Sequence, residues 1–147
     1  MFLNAKISEL LTSIVNIAPV SQGVGSAVSG WIPVKNYLNF VAIISTGVLG
    51  TAATVDAKVQ QATSSGGAGA KDITGKAITQ IVKATGDGKQ AIINFRPQDL
   101  DTNGGFTHVQ LSVTVAAAAS LISAEILGAS RFMPANDLNP AAVVQIV

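Results

Sequence analysis

The chain has 147 residues and a mass of 14.9 kDa, contains no cysteine and has a formal net charge of +1 at neutral pH. This size fits one domain, and the lack of cysteine excludes disulfide bonds and thiolate metal ligands. Only 12% of the residues are charged and 48% are hydrophobic, so there is no basic field for nucleic acid or anionic lipid. We therefore expect neither nucleic acid nor a membrane as a partner. We expect much of the surface to be covered by further copies of the chain or by another protein.

The N-terminal segment has apolar residues at spacings of three and four, which predicts an amphipathic helix that ends before Pro19. The apolar stripe of this helix comprises Leu3, Ile7, Leu10, Leu11 and Ile14. Two roles are open for residues 1–20: the helix covers its own domain, or it is an arm that packs on a neighbouring protein.

The next segments read as a connector followed by strands. Residues 21–30 are rich in Gly and Ser and predict a flexible connector. A strand is predicted at 31–34, and the run 38–48, apolar on both faces, predicts a strand that is central in a sheet or covered on both sides. The alternating segment 51–63 predicts another strand, and the Gly-rich segment 64–69 a surface loop.

The second half continues the β pattern. Segment 76–85 fits either a helical turn or a strand, and we favour the strand; further strands are predicted at 89–96, 106–115 and 121–127. In segment 106–115 the apolar side comprises Val109, Leu111, Val113 and Val115, and the polar side His108, Gln110, Ser112 and Thr114. Seven or so short strands separated by Gly or Asp turns predict an all-β, antiparallel β-sandwich or barrel over residues 21–134.

The C-terminal segment 135–147 lies outside this predicted sandwich. It contains Pro140 and ends in an apolar cluster made of Val143, Val144, Ile146 and Val147. We expect this tail to be unpaired within the domain and to extend to a partner.

The sequence offers little for catalysis. A nucleophilic Ser needs a neighbouring base, and the only histidine, His108, lies on the polar side of a predicted strand. Gly69 and Gly75 enclose five residues where a phosphate-binding loop needs four. We expect no enzyme activity and no cofactor.

One motif resembles part of a metal site. Asp99, Asp101, Asn103 and Gly104 match the first half of a calcium-binding loop, in which oxygen ligands alternate and glycine makes the tight turn. The twelfth position is Gln110, whose amide cannot supply the bidentate carboxylate that closes the site. We therefore favour a plain turn, with calcium binding as the alternative.

Several stretches together resemble a known family. They are the residues Gly30 to Pro33 with Tyr37, the stretch TVDAKVQQA from Thr54, the stretch GAKDITGKAITQ from Gly69, and segment 106–115 followed by Leu127, Gly128, Arg131 and Pro134. Over about residues 30–134 the chain resembles small virion proteins encoded among the head genes of tailed bacteriophages. The shared motifs are structural, so no active-site residue is carried over.

The resemblance implies a β-sandwich, of jelly-roll or immunoglobulin-like kind, that attaches to the capsid surface of a virion as a decoration or cement protein. The implied partners are the major capsid protein and further copies of the chain, in a trimer or another homo-oligomer. A head–tail connector or tail-associated protein is one alternative, and a carbohydrate-binding sandwich another, although aromatic residues are only 5% of the chain. We expect residues 1–18 and 138–147 to contact neighbouring subunits, through the N-terminal stripe and through Val143, Val144 and Ile146.

Overall fold

A computed structural model of the chain describes residues 4–147, apart from the side chain of Asp137. The strands are β1 (Leu11–Gln22), β2 (Gly25–Val28), β3 (Ile32–Pro33), β4 (Tyr37–Thr46), β5 (Thr54–Ala62), β6 (Lys71–Ala77), β7 (Ile81–Val82), β8 (Gln90–Phe95), β9 (His108–Ala116) and β10 (Ser120–Ser130). Single helical turns form α1 (Ile7–Leu10) and α2 (Lys83–Gly86), and 3-10 turns form at Pro97–Asp99 and Ala135–Leu138.

The strands form two antiparallel sheets. Sheet A has the order β1-β10-β4-β8, and sheet B has the order β2-β9-β5-β6, with β3 also paired to β9 and β7 to β5. The pairs are nested along the chain, because β1 joins β10, β2 and β3 join β9, β4 joins β8, and β5 joins β6 and β7. A long hairpin rolled up in this way is a jelly roll. The predicted antiparallel β-sandwich is confirmed, and the strand order selects the jelly roll over the immunoglobulin-like alternative.

The core lies between the inner faces of the two sheets. In sheet B, Val55, Ala57 and Val59 of β5 are buried opposite equally buried partners in β9. In sheet A the rings of Phe40 and Phe95 stack with their centroids 4.9 Å apart. Fully burying side chains of this size stabilises a fold by roughly 1.5–3 kcal/mol each. The two-residue alternation predicted for β5 and β9 is therefore a pattern that builds the core, and the same period places Ile93 and Phe95 of β8 in it.

The predicted N-terminal helix is wrong except for a single turn. Only Ile7–Leu10 is helical, and Leu11–Gln22 is a strand at the edge of sheet A, paired with β10. The register shifts between Ser13 and Val15 and between Ile17 and Val20. Each irregularity breaks the two-residue alternation, so the apolar residues of this strand recur at spacings that imitate a helix.

Two other predictions need correction. Segment 21–30 is not only a connector, because Gly25–Val28 pairs with β9 as β2. Segment 76–85 is not one strand: β6 ends at Ala77, β7 has two residues, and the chain then makes the turn α2. The turn is fixed by packing, since a Cβ atom added at Gly86 would lie 2.3 Å from Cγ2 of Ile81.

Candidate functional site

The outer faces of the two sheets differ in charge. The four strands of sheet A contain a single charged residue, Glu125. The strands of sheet B contain five, which are Asp56, Lys58, Lys71, Asp72 and Lys76. Surfaces that face solvent are normally rich in charge, whereas the centres of protein interfaces are depleted in it. Sheet A therefore presents the face suited to burial against another protein.

The charges of sheet B already have partners within the chain. Lys58 Nζ lies 2.9 Å from Asp72 Oδ2, and the amide of Gln60 donates a hydrogen bond of 2.9 Å to the other oxygen of Asp72. These hydrogen bonds from Lys58 and Gln60 hold the pKa of Asp72 below its usual value. On the same sheet the Gln80 amide donates to Asp56 at 2.8 Å. This hydrogen-bonded polar face suits contact with water.

Sheet A carries a cluster of apolar side chains on its outer face. Leu127 of β10 is directly opposite Val41 of β4, and Ile43 of β4 is directly opposite Ile92 of β8. The side chain of Ile92 is 60% exposed, and the other three are half-buried. We call Val41, Ile43, Ile92 and Leu127 the sheet A patch.

The C-terminal tail lies against sheet A and does not simply extend away from the domain. Ala135 is fully buried, and Leu138 packs against the core. The side-chain oxygen of Asn139 accepts a hydrogen bond of 2.9 Å from the backbone N–H of Ser13 and another from the hydroxyl of Thr12. The expectation that all of segment 135–147 is unpaired within the domain is therefore wrong for residues 135–139.

A groove of about 610 Å³ opens between the tail and the outer face of sheet A. Its floor includes Ile43, Ser45, Gln90 and Glu125 from three strands of the sheet, and the tail contributes Pro140, Ala142 and Val143. We call this cavity the tail groove. Because Ile43 belongs to both features, the tail groove and the sheet A patch form one continuous, nearly uncharged surface.

The residues predicted from the sequence as an interface fall into three groups. Leu3 lies outside the described residues. Ile14 packs against the protein's own core, and Leu10 and Leu11 are half-buried, whereas Ile7 is 69% exposed. In the tail, Val143 lines the tail groove, Val144 is 95% exposed and Ile146 is 44% exposed.

The fold brings the two predicted segments together. The turn α1 contacts the 3-10 turn Ala135–Leu138, and both lie beside β1 at one edge of sheet A. Sequence reasoning missed the sheet A patch that borders them. The available signal is segment 38–48, whose second apolar face predicts a strand that is central in a sheet or covered on both sides. The strand is central as predicted, but Val41 and Ile43 on that second face are only half-buried within one copy.

The candidate calcium residues have separate partners. Asp101 Oδ2 lies 2.8 Å from Lys71 Nζ, its Oδ1 accepts from the N–H of Gly104, and the hydrogen bond from Lys71 is the main cause of a lowered pKa for this carboxyl. Asp99 pairs instead with Lys76 at 3.0 Å. Asn103 is exposed in the turn that follows. Among the side chains that the structure describes, which leave out Asp137, no three His, Asp or Glu residues are grouped to hold a metal ion.

His108 lies on the polar side of β9, at the position that the alternation predicts. Its Nδ1 atom is 2.9 Å from the hydroxyl of Thr107, and the residue is half-buried. A serine nucleophile needs its base within hydrogen-bonding distance. The hydroxyl that contacts this imidazole belongs instead to a threonine, the residue just before β9. In the part of the chain that the structure describes, no helix is long and apolar enough to cross a membrane.

Comparison with known proteins shows that the chain is similar to solved structures in its fold alone. No protein-family model matches the chain, and no curated protein sequence matches it significantly. A CBM4 structure superposes with a TM-score of 0.46 at 14% identity, over 71% of this chain and 61% of the other. The N-terminal cellulose-binding domain of β-1,4-glucanase C from Cellulomonas fimi gives 0.43 at 16% identity, over 83% and 82%. A chain of infectious bursal disease virus gives 0.43 at 9% identity, over 86% and 33%.

Proposed function

We propose that the protein is a structural subunit of a tailed-phage virion that decorates the outer surface of the head. In this proposal the outer face of sheet A lies against the major capsid protein and neighbouring copies of the chain, and sheet B faces solvent. The observation that carries the proposal is the division of charge, with one charged residue in the strands of sheet A and five in those of sheet B.

Physical considerations support a role based on assembly. The outer face of sheet A is nearly uncharged and carries Ile92 with 60% of its side chain exposed, so its contact with water is unfavourable in free energy. Repetition by symmetry allows a modest contact to be made many times on one particle, which strengthens the whole shell without covalent bonds. The resemblance that we draw from the sequence, over residues 30–134, points to the same role and is itself part of this proposal.

Of the aromatic side chains that the structure describes, a single one is exposed, which gives little support to the alternative of sugar binding. Sugars are usually held against the faces of exposed rings. Tyr37, Phe40 and Phe95 are buried in the core, and Trp31 is half-buried beneath the loop at Gly67, where an added Cβ atom would lie 2.5 Å from the indole Nε1. Phe132 is 60% exposed, at the start of the C-terminal segment.

The first test is the copy number of this chain relative to the major shell subunit in purified particles. Decoration of the head predicts a copy number comparable to that of the shell subunit. A few copies per particle would instead indicate a head–tail connector or a tail-associated protein. Absence from purified particles would reject the proposal altogether.

The second test uses particles that lack this chain, to which purified variants are added. Ile92→Lys places a charge in the sheet A patch, and the control Thr54→Lys places one on the outer face of β5 in sheet B. Burying an unpaired charge costs more than the roughly 1.4 kcal/mol that equals a factor of ten in affinity. We expect Ile92→Lys to weaken occupancy of heads at least about tenfold and the control to bind as the native chain does. Equal binding of both variants would contradict the orientation proposed here.

A further inference from the structure

The tail contains apolar residues that its own domain does not cover. Val144 is 95% exposed and Val147 is 98% exposed, although the chain is anchored at Asn139 only a few residues earlier. The N–H of Val143 donates to the carbonyl of Pro140 at 2.9 Å, which makes a turn just before these residues. The tail and the sheet A patch are therefore two exposed apolar surfaces on the same copy that leave each other uncovered.

The two surfaces match in chemical character. Residues 138–147 contain no charged side chain, and the single charge in the strands of sheet A is Glu125. The tail is also rich in β-branched residues, which favour an extended conformation that can lie along a sheet. The tail brings no charged side chain to such a contact, so Glu125 on the floor of the tail groove is the one side-chain charge that must stay in reach of water or of a hydrogen-bond donor when the two surfaces associate.

The first residues of the tail cover only part of the outer face of sheet A, which leaves a place where the tail of another copy can lie. Pro140, Ala142 and Val143 form one wall of the tail groove, and Ile43 on its floor continues into the sheet A patch toward Ile92. Space therefore remains on the outer face of sheet A between these three tail residues and β8, the strand at the opposite edge of the sheet.

From these observations we infer that residues 144–147 of one copy pack in the tail groove and on the sheet A patch of a second copy of the chain. The contact joins two different surfaces, so it is heterologous and can close into a ring of identical subunits. It rests on the proposed function in taking the outer face of sheet A as a buried interface, and it names the segment that covers part of that face.

The absence of cysteine from the chain permits a direct test with introduced cysteines. Val144→Cys and Ile92→Cys are made as separate variants, one of them with a mass tag, and are mixed and oxidised in solution without phage heads. We expect a disulfide-linked mixed dimer. The matched control pairs Val144→Cys with Thr54→Cys, which lies on the outer face of sheet B, and we expect at least about tenfold less mixed dimer there.

Deletion of residues 144–147 provides a second measurement that keeps Asn139 and its hydrogen bonds. We expect the native chain to sediment as an oligomer and the shortened chain as a monomer with an unchanged circular dichroism spectrum. The inference is overturned if Ile92→Cys gives no more mixed dimer than the Thr54→Cys control, or if the shortened chain still assembles. If the mixed dimer forms but the protein does not bind heads, the inference stands and the proposed function fails. If the protein binds heads without the mixed dimer, the inference alone fails.

Discussion

Asn139 and Ser13, which are 126 positions apart in the chain, are joined by a hydrogen bond of 2.9 Å from the backbone N–H of Ser13 to the Asn139 side-chain oxygen. The same oxygen accepts from the hydroxyl of Thr12, a residue that is fully buried. This one amide therefore ties the C-terminal tail to β1 where the tail leaves the domain, next to the buried Ala135 and to Leu138, which packs against the core.

Replacing Asn139 by Ala should release the tail and destabilise the fold. The change leaves the buried hydroxyl of Thr12 without its partner on Asn139, which typically costs about 1–3 kcal/mol of unfolding free energy. Chemical denaturation would measure this loss, and limited proteolysis should show faster cleavage after residue 139. The control is Asn103→Ala, in an exposed turn, which should change neither. Unchanged cleavage in the Asn139 variant would show that other contacts hold the tail.

The lack of a side chain at Gly128 in β10 leaves room for Ile14 of β1 and Tyr37 of β4, the two strands that flank β10 in sheet A. A Cβ atom added at Gly128 would lie 2.5 Å from Cδ1 of Ile14 and 2.7 Å from Cδ1 of Tyr37. Overpacking of this kind costs roughly 1–3 kcal/mol, so Gly128→Ala should lower the denaturant midpoint clearly. Gly23→Ala is the control, because nothing lies within 4 Å of the added atom. Equal midpoints for the two variants would mean that Ile14 moves aside at little cost.

The sequence predicts the fold well where one face of a strand is buried and the other is not. In β5, buried side chains alternate with half-buried ones over most of the strand, so the period is visible without a structure. In β9 apolar and polar residues alternate in the sequence, although Gln110 and Ser112 on the polar side are buried too. Strand β1 escapes this reasoning because its two register shifts change which side its residues face. The choice of jelly roll also lies beyond periodicity, since it depends on which strands pair.

The candidate site is visible in the sequence only in part. The apolar tail residues can be recognised directly, because Val144 and Ile146 have no place in the predicted strands. The sheet A patch cannot, because Val41, Ile43 and Ile92 belong to ordinary apolar strands, and exposure is decided by what covers the sheet. The anchor formed by Asn139 is equally hidden, since its partners lie at the opposite end of the chain.

The calcium alternative can be tested with one substitution. The two carboxylate oxygens of Asp101 already accept hydrogen bonds from Lys71 and from the N–H of Gly104. We therefore expect Asp101→Asn to melt at the same temperature in calcium and in a chelator, and the native chain to do so too. A melting temperature raised by calcium in the native chain, and not in Asp101→Asn, would restore the calcium loop.

The carboxyl groups that have lysine partners should determine how stability responds to acid. Burial tends to raise the pKa of Asp99, but hydrogen bonds from Lys76 and from the N–H of Arg96 outweigh it, so the pKa is lowered overall. Three further carboxyls have a pKa lowered mainly by a hydrogen bond from a lysine: Asp72 by Lys58, Asp87 by Lys83 and Asp101 by Lys71.

Because these four carboxyls have a lower pKa in the folded chain than in the unfolded chain, the unfolded state binds more protons in acid. Their contribution to stability should be complete above the ordinary carboxyl pKa of about 3.9 and lost as the pH falls through the lower folded-state values. Thermal melting between pH 7 and pH 2 should therefore be level above about pH 5 and decline below it. Asp99→Asn should remove about 1 kcal/mol at pH 7 and make the acid decline shallower, because one of the four groups no longer titrates. An equally steep decline in the variant would show that Asp99 does not contribute to it.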